Sequence, residues 1–496
     1  MIDGYVDVVG GAQYGDEGKG KVVDHLSEKA TIVARVNGAD NAGHTVEVNE
    51  KTYIMHLIPS GIVHDNIISL IGNGVLINPK QLLKEMHDLR NAGLNIDERK
   101  LRISDRAFVT FPHHKYLDVI RDSTRRNPIG TTGSGVGPTY ASQMLRTGLR
   151  IRDLSDVNAM REALLDDKEE FDFYAATFLP KIQKNIAEGK YKGSKLEDIT
   201  KFLTKTLPEF YDATQGLNIN AIVDEYHKMG QELHPHVTNS RKLALDTLNS
   251  GNNILVELAQ GAALDKDQGT YPYVTSSNCA SSAVETGLGI PRRFIRTYVA
   301  VVKLTPSRVG EGPFEGEYGE YNDIRGKTRK ELGLNHSEQA TLREKINNNK
   351  ATPFEVGQYF RNVGVSDDKS CGGEYGATTA RPRRMGILDL TLVKKYNDTF
   401  GFTHLALTKL DVYDGITDIP IIVEGDATGK KKLVMLPGYY DTHKETSFEE
   451  LHVNAQNLVH FVSEYLKLPV MTIATGAGRD CAIINYRPRT HQLRMF

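Results

Sequence analysis

The segment Gly15-Asp16-Glu17-Gly18-Lys19-Gly20-Lys21 combines acidic and basic side chains with three glycines. Glycines let the backbone approach an anion closely and the lysines add positive charge, so the pattern is typical of a phosphate-binding loop. The loop departs from the ordinary P-loop, because Gln13 stands where a glycine is required and Gly20 stands where Ser or Thr is required. The alternative is a glycine-rich turn that carries surface charges.

A second loop, residues 37–45, is rich in glycine and amide side chains and ends in Gly43-His44-Thr45. A lone histidine is more often structural than catalytic. His44, however, is flanked by loop residues rather than set on an apolar face, and an imidazole titrates near neutral pH. Its position beside the phosphate loop therefore favours a catalytic role in a second βα-type loop.

Three later loops have the composition of anion-binding or polar-ligand sites. Residues 130–138 combine hydroxyls with glycines and precede Arg146, residues 265–278 supply an amide and several hydroxyls, and residues 375–384 place two threonines before three arginines. Arginine forks and threonine hydroxyls bind phosphate and carboxylate groups well. Each loop alone is equally compatible with a solvated polar turn.

A strand-like run, residues 405–407, is followed by Thr408-Lys409-Leu410-Asp411. An aspartate just beyond a strand can accept hydrogen bonds from N1–H and the 2-amino group of guanine, while the lysine stem covers the ring. Four residues are weak evidence by themselves. Together with a phosphate loop far upstream, they favour a guanine nucleotide over an adenine nucleotide.

The composition excludes several classes of protein. The 496 residues are 39% hydrophobic and 25% charged, which is ordinary for a globular chain, and the net charge of -2 supplies no positive field for nucleic acid. The cysteines, Cys279, Cys371 and Cys481, form no CxxC pair and favour a reducing compartment, the cytoplasm. We expect no signal peptide, because acidic residues and glycines interrupt the N-terminal region, and no membrane-spanning segment, because no later stretch approaches about 20 apolar residues.

These loops need elements that hold them in place. Residues 5–9 and 254–258 read as β-strands, and residues 21–26 continue the first loop as a helix. A strand, a glycine loop and a helix in this order are the expected arrangement of a phosphate site. Residues 154–250 predict a mainly helical subdomain from their periodicity, and residues 315–373 predict an exposed, charged and partly helical insertion.

Taken together, these segments resemble the adenylosuccinate synthetase family. The motifs that carry the resemblance occur in family order: GAQYGDEGKGK (11–21), NAGHT (41–45), PSGI (59–62), IGNG (71–74), GTTGSGVGP (130–138), RTGLR (146–150), AQG (259–261), DQGTYPYVTSSN (267–278), RVGEGPF (308–314), YGATTARPRR (375–384), TKLDVYDG (408–415) and GAGRD (476–480). The resemblance implies a single-domain α/β fold over residues 1–496, with a large, mostly parallel central sheet flanked by helices and a P-loop-like GTP site. It also implies a homodimer whose active sites are completed across the subunit interface.

The resemblance implies that the chain joins L-aspartate to IMP with GTP and Mg²⁺, giving adenylosuccinate, GDP and phosphate. GTP first phosphorylates the 6-oxygen of IMP, and the amine of aspartate then displaces phosphate. By resemblance Asp16 is the general base and His44 the general acid, while Lys19 holds the β- and γ-phosphates and Gln260 binds the purine 6-oxygen. The implied Mg²⁺ ligands are Asp16 and the backbone carbonyl of Gly43.

The same resemblance assigns the binding residues. The implied GTP contacts are Gly15, Gly18, Lys19, Gly20, Gly43 and Thr45, with Lys409 and Asp411 on guanine and Gly476 closing the base pocket. The implied contacts of the other substrates are Asn41, Thr132 and Thr275 at the IMP phosphate, Arg146 from the neighbouring subunit, Gln260 at the base, Val309 and Arg381 at the ribose, and Thr378, Thr379 and Arg383 in the loop over L-aspartate. Neither nucleic acid nor a membrane is an implied partner.

The chain departs from the family pattern around the substrate contacts. Tyr14 stands where tryptophan is usual, Leu258 interrupts the usual Glu-Gly-Ala-Gln-Gly motif, and Pro382 alters the loop over aspartate. One alternative is therefore a variant synthetase that takes dGMP or GMP and makes the precursor of 2-aminoadenine, although the retained Asp16 favours IMP. Another is a nucleotide-binding regulator without turnover, which the intact catalytic residues disfavour.

Overall fold

The computed structural model describes residues 4–41, 43–48, 51–191, 193–319, 321–365, 373–376, 381–425 and 430–484. Its strands, in chain order, are β1 (Val6–Gly11), β2 (Ile32–Arg35), β3 (His44–Val48), β4 (Lys51–Met55), β5 (Ile68–Ile71), β6 (Leu101–Ser104), β7 (Tyr211–Asp212), β8 (Gly216–Leu217), β9 (Val237–Thr238), β10 (Ile254–Gly261), β11 (Ile295–Lys303), β12 (Ser307–Arg308), β13 (Arg384–Met385), β14 (Leu388–Asp389), β15 (His404–Thr408), β16 (Asp418–Glu424), β17 (Lys431–Pro437), β18 (Val470–Ala474) and β19 (Ala482–Ile484).

The helices surround and connect these strands. They are α1 (Lys19–Ser27), α2 (Pro79–Asn91), α3 (Pro112–Thr124), α4 (Val136–Leu145), α5 (Val157–Ala187), α6 (Gly193–Lys201), α7 (Ile219–Leu233), α8 (Ser240–Asn249), α9 (Ser282–Leu288), α10 (Tyr321–Ile324), α11 (Arg329–Leu332), α12 (His336–Asn347), α13 (Pro353–Asn362), α14 (Leu390–Phe400) and α15 (Val453–Leu466). In the part of the chain that the structure covers, none of the helices is both long enough and apolar enough to cross a bilayer.

A ten-stranded sheet runs through the centre of the described residues, in the order β19-β18-β15-β11-β1-β10-β2-β5-β6-β9. Its strand pairs are parallel except β18 with β19. This arrangement confirms the α/β fold with a mostly parallel central sheet. Because parallel strands end at the same edge, the loops that follow β1, β2, β10, β11 and β15 converge there.

The central strands are buried on both faces, as expected for a parallel sheet covered by helices. Val6 and Val8 of β1 belong to a large hydrophobic cluster that includes Leu248 of α8. Val9, which points to the opposite face, packs in a second cluster with Val22 and Val23 of α1. The apolar run of β1 and the helical pattern after the first loop therefore form the predicted strand, loop and helix.

His44 lies in an element that the sequence did not predict. The loop from residue 37 does not lead into a helix, and His44 is instead the first residue of β3, which pairs with the antiparallel strand β4. The expectation of a second βα-type loop was therefore wrong. The hairpin gives His44 a fixed backbone position that a loop residue lacks.

The two long segments between the glycine loops are mainly helical. Residues 154–250 contain α5 to α8, and their core includes Phe171 and Tyr226. Residues 315–373 contain α10 to α13, and Tyr359 and Phe360 of α13 are buried in the main core. The expectation that this second segment is exposed was wrong for those residues, whereas the division of residues 1–496 into one domain with these two parts stays a prediction.

Candidate active site

A buried carboxylate, Glu17, fixes the shape of the glycine loop that follows β1. Its Oε1 accepts hydrogen bonds from the N–H groups of Gln13 (3.1 Å) and Gly15 (2.7 Å), and Thr408 Oγ1 donates to the Glu17 carbonyl at 2.6 Å. Gly15 (φ 98°) and Gly18 (φ 84°) take left-handed backbone conformations, which favour glycine, just before α1 begins. The loop thereby presents the N-terminus of α1, a site suited to anions.

Gln13 explains why the loop departs from the ordinary P-loop pattern. Its side chain is only 2% exposed, and its Nε2 donates to the Lys303 carbonyl at 3.2 Å while its Oε1 accepts the Lys303 N–H at 2.9 Å. These two hydrogen bonds join the loop to the end of β11. A glycine at this position would make neither bond.

The two lysines of the loop have different partners. Lys19 Nζ donates to the carbonyl of Gly15 at 2.7 Å and to Glu17 Oε2 at 2.8 Å, and its side chain is buried. Lys21 Nζ donates to three carbonyls of segment 476–481, at 2.6, 2.8 and 2.7 Å. Lys19 therefore contacts the glycine loop itself, whereas Lys21 holds the distant segment 476–481 against α1.

His44 is held between a carbonyl and a carboxylate. Its Nε2 lies 3.1 Å from the Ile58 carbonyl and 3.8 Å from Glu257 Oε1. Because a carbonyl only accepts, Nε2 carries the proton of the neutral ring and Nδ1 is left as an acceptor. Burial lowers the pKa of His44 to about 4, with Glu257 opposing this shift and Arg35 and His56 adding to it. A second proton is needed before Nδ1 can donate.

Arg383 connects two carboxylates on the other side of the loop. Its Nε lies 3.2 Å from Asp16 Oδ2, and its Nη1 donates to Glu374 Oε2 at 2.6 Å. Glu374 also contacts Lys303 Nζ at 2.6 Å and Lys409 Nζ at 3.6 Å. Burial alone would raise the pKa of Glu374, but the charges of Lys303, Arg383 and Lys409 hold it well below its ordinary value. Glu374 is therefore an ionised centre among three cations.

Two cavities, of about 270 and 510 Å³, open onto these residues. Predicted site residues lining the first are Gly15, Asp16, Gly18, Lys19, Gly20, Gly43, His44, Thr45, Gln260, Arg383, Lys409 and Gly476. Those lining the second are Gly15, Asp16, Asn41, Gly43, Thr132, Gln260, Thr275, Val309, Arg381 and Arg383. The cavities share a wall formed by Gly15, Asp16, Gly43, Gln260 and Arg383, so ligands in the two can meet beside Asp16 and Gln260.

Backbone strain and unpaired polar atoms mark the same region. Gln260 (φ 68°) and Lys409 (φ 64°) take the left-handed conformation, which costs a non-glycine residue about 1–3 kcal/mol. Among the buried polar atoms without a hydrogen-bond partner in the described residues are Asn41 Oδ1, Thr275 Oγ1 and Asp411 Oδ1. Buried polar atoms are normally paired, so these three suit contacts to a polar ligand.

Among the described residues, two predicted contacts, Arg146 and Asp411, line neither cavity. Arg146 is an exposed residue with φ 69° at the end of α4. Asp411 begins a 3₁₀ turn two residues after Lys409, and its carboxylate is partly buried. Thr378 and Thr379 lie outside the described residues. The single chain therefore brings together most of the predicted site, but not Arg146.

Two contacts predicted for the ribose lie at the rim of the second cavity. The side chain of Val309 is 44% exposed. Arg381 Nη2 donates to Asp198 Oδ2 of α6 at 2.7 Å, and both side chains are about half exposed. An exposed ion pair contributes little to stability, so Asp198 does not prevent Arg381 from taking another anionic partner.

Glu17, Lys303 and Glu374 belong to the site but are not predicted from the sequence as site residues. Lys303 has a local signal, because it is a lysine at the end of the apolar run of β11. Glu374 has none, since its partners lie in three separate segments of the chain. The pairing of β11 with β15 brings Lys303 close to Lys409, and backbone hydrogen bonds hold Glu374 beside Arg383.

Three side chains outside the cavities also have the spacing of metal ligands, His113, His114 and Asp167. His114 Nδ1 accepts the N–H of Phe111 at 3.0 Å, and its Nε2 lies 2.9 Å from Ser142 Oγ. A metal-bound histidine needs one unprotonated nitrogen for the metal and donates through the other. Nδ1 of His114 already accepts a hydrogen bond and Nε2 donates to Ser142, so neither nitrogen is free for a metal ion.

Sequence comparison identifies relatives over nearly the whole chain. The family model described as adenylosuccinate synthetase matches residues 8–193 and 181–483. Adenylosuccinate synthetase of Lysinibacillus sphaericus (strain C3-41) is 35% identical over 491 residues, and that of Streptococcus sanguinis (strain SK36) is 36% identical over 491 residues. Each alignment covers 95% of this chain and 96% of the relative.

Two solved structures share the fold. Fully ligated adenylosuccinate synthetase from Plasmodium falciparum is 28% identical, with a TM-score of 0.74 over 97% of this chain and 100% of its own. Succinoaminodeoxyadenylate synthetase of cyanophage S-2L, solved with dGMP and dATP, is 15% identical, with a TM-score of 0.54 over 97% of this chain and 95% of its own. The latter similarity shows the fold alone.

Proposed function

The chain belongs to the adenylosuccinate synthetase family, and on this premise we propose that it is a GTP-dependent ligase that joins L-aspartate to C6 of IMP. The products are adenylosuccinate, GDP and phosphate. The observation that carries this proposal is the shared wall of the two cavities, where Asp16 and Gln260 face both. A phosphoryl group can pass from a nucleotide in the first cavity to a purine in the second without leaving the protein.

In the first step the 6-oxygen of IMP attacks the γ-phosphorus of GTP. Asp16 takes the N1 proton, which makes the 6-oxygen nucleophilic, and Gln260 binds that oxygen. Lys19 and the N-terminus of α1 hold the β- and γ-phosphates, and His44, once protonated, donates to the phosphoryl group. GDP leaves as the bond between the β–γ bridging oxygen and the γ-phosphorus breaks.

In the second step the amine of L-aspartate attacks C6 and displaces phosphate, and the amine proton is lost to solvent or to a nearby base. Arg383 holds a carboxylate of the aspartate, because its guanidinium reaches the shared wall next to Asp16. By resemblance to the family, Thr378 and Thr379 would also contact the aspartate. Holding the amine beside C6 supplies much of the rate, since orientation replaces a bimolecular encounter.

The remaining predicted residues bind the two nucleotides. Asn41, Thr132 and Thr275 hold the IMP phosphate, and Val309 and Arg381 contact its ribose. On the GTP side Gly15, Gly18, Gly20, Gly43 and Thr45 surround the phosphates, Lys409 and Asp411 read guanine, and Gly476 closes the base pocket. The unpaired oxygens of Asn41, Thr275 and Asp411 support these roles.

The shared wall suits Mg²⁺. Asp16 offers a carboxylate oxygen and Gly43 a backbone carbonyl, and a hard cation of this kind takes oxygen ligands from one or two carboxylates plus substrate phosphates. Bound there, Mg²⁺ would neutralise charge on the transferring phosphoryl group.

We further propose a homodimer in which Arg146 of one subunit completes the site of the other. Arg146 lies outside both cavities, and its neighbours Met144 and Leu145 are 72% and 62% exposed. Adjacent large apolar side chains on a surface are typical of an interface.

The described cysteines, Cys279 and Cys481, are unpaired thiols, which supports a location in the reducing cytoplasm.

A turnover panel tests the proposed activity. Full-length protein is assayed with IMP, dIMP, GMP or dGMP, each crossed with GTP or ATP, in the presence of L-aspartate and Mg²⁺. We expect aspartate-dependent product and phosphate release with IMP and GTP. Reaction with dGMP and none with IMP would instead assign the variant synthetase, and nucleotide binding without any turnover would assign a regulator.

A further inference from the structure

The ionised centre formed by Glu374 joins three parts of the chain. Lys303 ends β11, Lys409 follows β15, and Arg383 precedes β13, and each cation contacts the same carboxylate. Glu374 and Lys303 have side chains that are 6% and 3% exposed. Because these charges are buried, their interactions are weakly screened by solvent and salt.

The backbone fixes Glu374 relative to Arg383. The Arg383 N–H donates to the Glu374 carbonyl at 3.0 Å, and the Glu374 N–H donates to the Arg361 carbonyl at 2.7 Å. The Arg361 side chain, which is 1% exposed, donates from Nε to the Arg383 carbonyl at 2.8 Å, so Arg361 contacts both Glu374 and Arg383. The contact between Glu374 and Arg383 is therefore set by α13 and not only by the side chains.

Arg383 and Lys409 work at opposite ends of the reaction in the proposed function. Arg383 reaches the shared wall and Asp16, where the dicarboxylate binds, and Lys409 lies where the guanine base binds. Glu374 lines the first cavity between them. The Glu374 carboxylate thus contacts both cations that bind ligands in the proposed function, Arg383 and Lys409.

We propose that Glu374 is a positioning residue, which aims Arg383 at L-aspartate and Lys409 at the nucleotide base and so couples the binding of the two ligands. The proposal rests on the roles given to Arg383 and Lys409 in the proposed function. A ligand that draws one cation away from Glu374 changes how this carboxylate holds the other cation. Each ligand therefore changes the affinity for the other by the same factor, typically between about 5 and 150.

The test is the variant Glu374→Gln in the full chain. The amide keeps the size of the side chain and removes its charge. We expect the KM for L-aspartate to rise roughly tenfold to a hundredfold, more than kcat falls, because a charge-assisted hydrogen bond to Arg383 is lost. We also expect calorimetry to show that the variant binds GDP, in the presence of Mg²⁺, more weakly than the wild type. In the wild type the proposal predicts that GDP changes the KM for L-aspartate, and this change should be absent in the variant.

Glu317→Gln is the matched control. Glu317 accepts two hydrogen bonds from Arg384, the neighbouring arginine of the same segment, at 2.8 and 2.5 Å, and it lines neither cavity. We expect it to change the melting temperature but leave the KM for L-aspartate near the wild-type value.

A lower melting temperature in Glu374→Gln with unchanged KM for L-aspartate and unchanged GDP affinity would overturn the proposal and leave a structural role. If Glu374→Gln does not fold, Glu374→Asp is used instead. This variant keeps the negative charge but moves the carboxylate away from Arg383 and Lys409, because its side chain is one methylene shorter. A raised KM for L-aspartate in Glu374→Asp supports the proposal. A KM for L-aspartate and a GDP affinity equal to those of the wild type reject it. Absence of aspartate-dependent turnover in the wild type would reject the proposed function instead.

Discussion

The orientation of Asp16 and the protonation of His44 depend on the residues next to them. Asp16 lies 3.2 Å from Arg383 Nε, so a cation that Glu374 holds in place orients the carboxylate beside the shared wall. His44 has its Nε2 proton committed to the Ile58 carbonyl and is neutral near pH 7. In the proposed mechanism Asp16 is thus oriented as the base, and His44 becomes an acid only when an anion binds.

Asp16→Asn should remove most of the turnover and little of the stability. The amide is nearly isosteric but cannot take the N1 proton, and loss of a general base costs about 10²- to 10⁴-fold in rate. The checks are kcat with IMP, GTP and L-aspartate, and the melting temperature. A kcat close to that of the wild type would refute the role given to Asp16.

Binding of a nucleoside triphosphate should take up a proton at His44. The pKa of the unliganded group is about 4, below the ordinary 6.5, so the ring is neutral near pH 7, and phosphate oxygens raise the pKa towards the working pH. Uptake should grow as the pH falls from about 8 to about 6. Calorimetry in buffers of different ionisation enthalpy measures it.

His44→Gln is the matching control for this titration. The amide cannot gain a proton near neutral pH, so its binding enthalpy should not depend on the buffer through this group. Equal proton uptake in His44→Gln and the wild type would assign the proton to another residue.

At the scale of elements, the parts that a sequence can predict are those whose signal is local. The apolar run of β1, its glycines and the helical pattern of α1 lie within residues 6–27, and the structure has them in that order. The hairpin that begins at His44 was missed, because pairing of β3 with β4 outweighs the loop-like composition of the segment. Charged residues on α10 to α13 likewise concealed the buried side of that segment, which includes Tyr359 and Phe360.

Lys21→Met should loosen the C-terminal segment and weaken binding of guanine nucleotides. Lys21 Nζ donates to three carbonyls in segment 476–481, which includes Gly476 of the first cavity. Losing charge-assisted hydrogen bonds to carbonyls that remain partly buried should cost about 2–4 kcal/mol of folding free energy. Urea unfolding and the Kd of GDP are the measurements.

Lys29→Met provides the comparison for Lys21. Lys29 is an exposed lysine just after α1, and its substitution should change the free energy of unfolding by no more than about 0.5 kcal/mol. If the two variants behave alike, the fastening role of Lys21 is wrong.

At the scale of the whole molecule, the site depends on strand order and, in the proposed homodimer, on a second subunit. Lys303 and Lys409 lie close together because β11 pairs with β15, which no local pattern reveals. The converging loops were predictable as separate polar segments, but their ion pairs were not. Arg146 has no place in either cavity of the single chain, so its predicted role requires the proposed partner subunit.

A mixture of two inactive variants should recover activity if the sites are shared between subunits. Asp16→Asn and Arg146→Ala impair the same site when they come from different subunits, so a mixed dimer keeps one intact site. After random exchange half of the dimers are mixed, which predicts about one quarter of wild-type activity. Each variant is also assayed alone as a control. Mixed dimers, isolated by two affinity tags, that remain inactive would contradict the shared site.

The wall that the two cavities share has a consequence for inhibitor chemistry. In the proposed function each cavity holds one nucleotide. A single molecule that places a purine monophosphate mimic in one cavity and a nucleoside diphosphate mimic in the other would lose its translational and rotational freedom once rather than twice. The linker would pass between Asp16 and Gln260, and its second half would bind at an effective concentration in the millimolar range or above. Such a bisubstrate ligand would gain affinity from the geometry of the site without any additional contact.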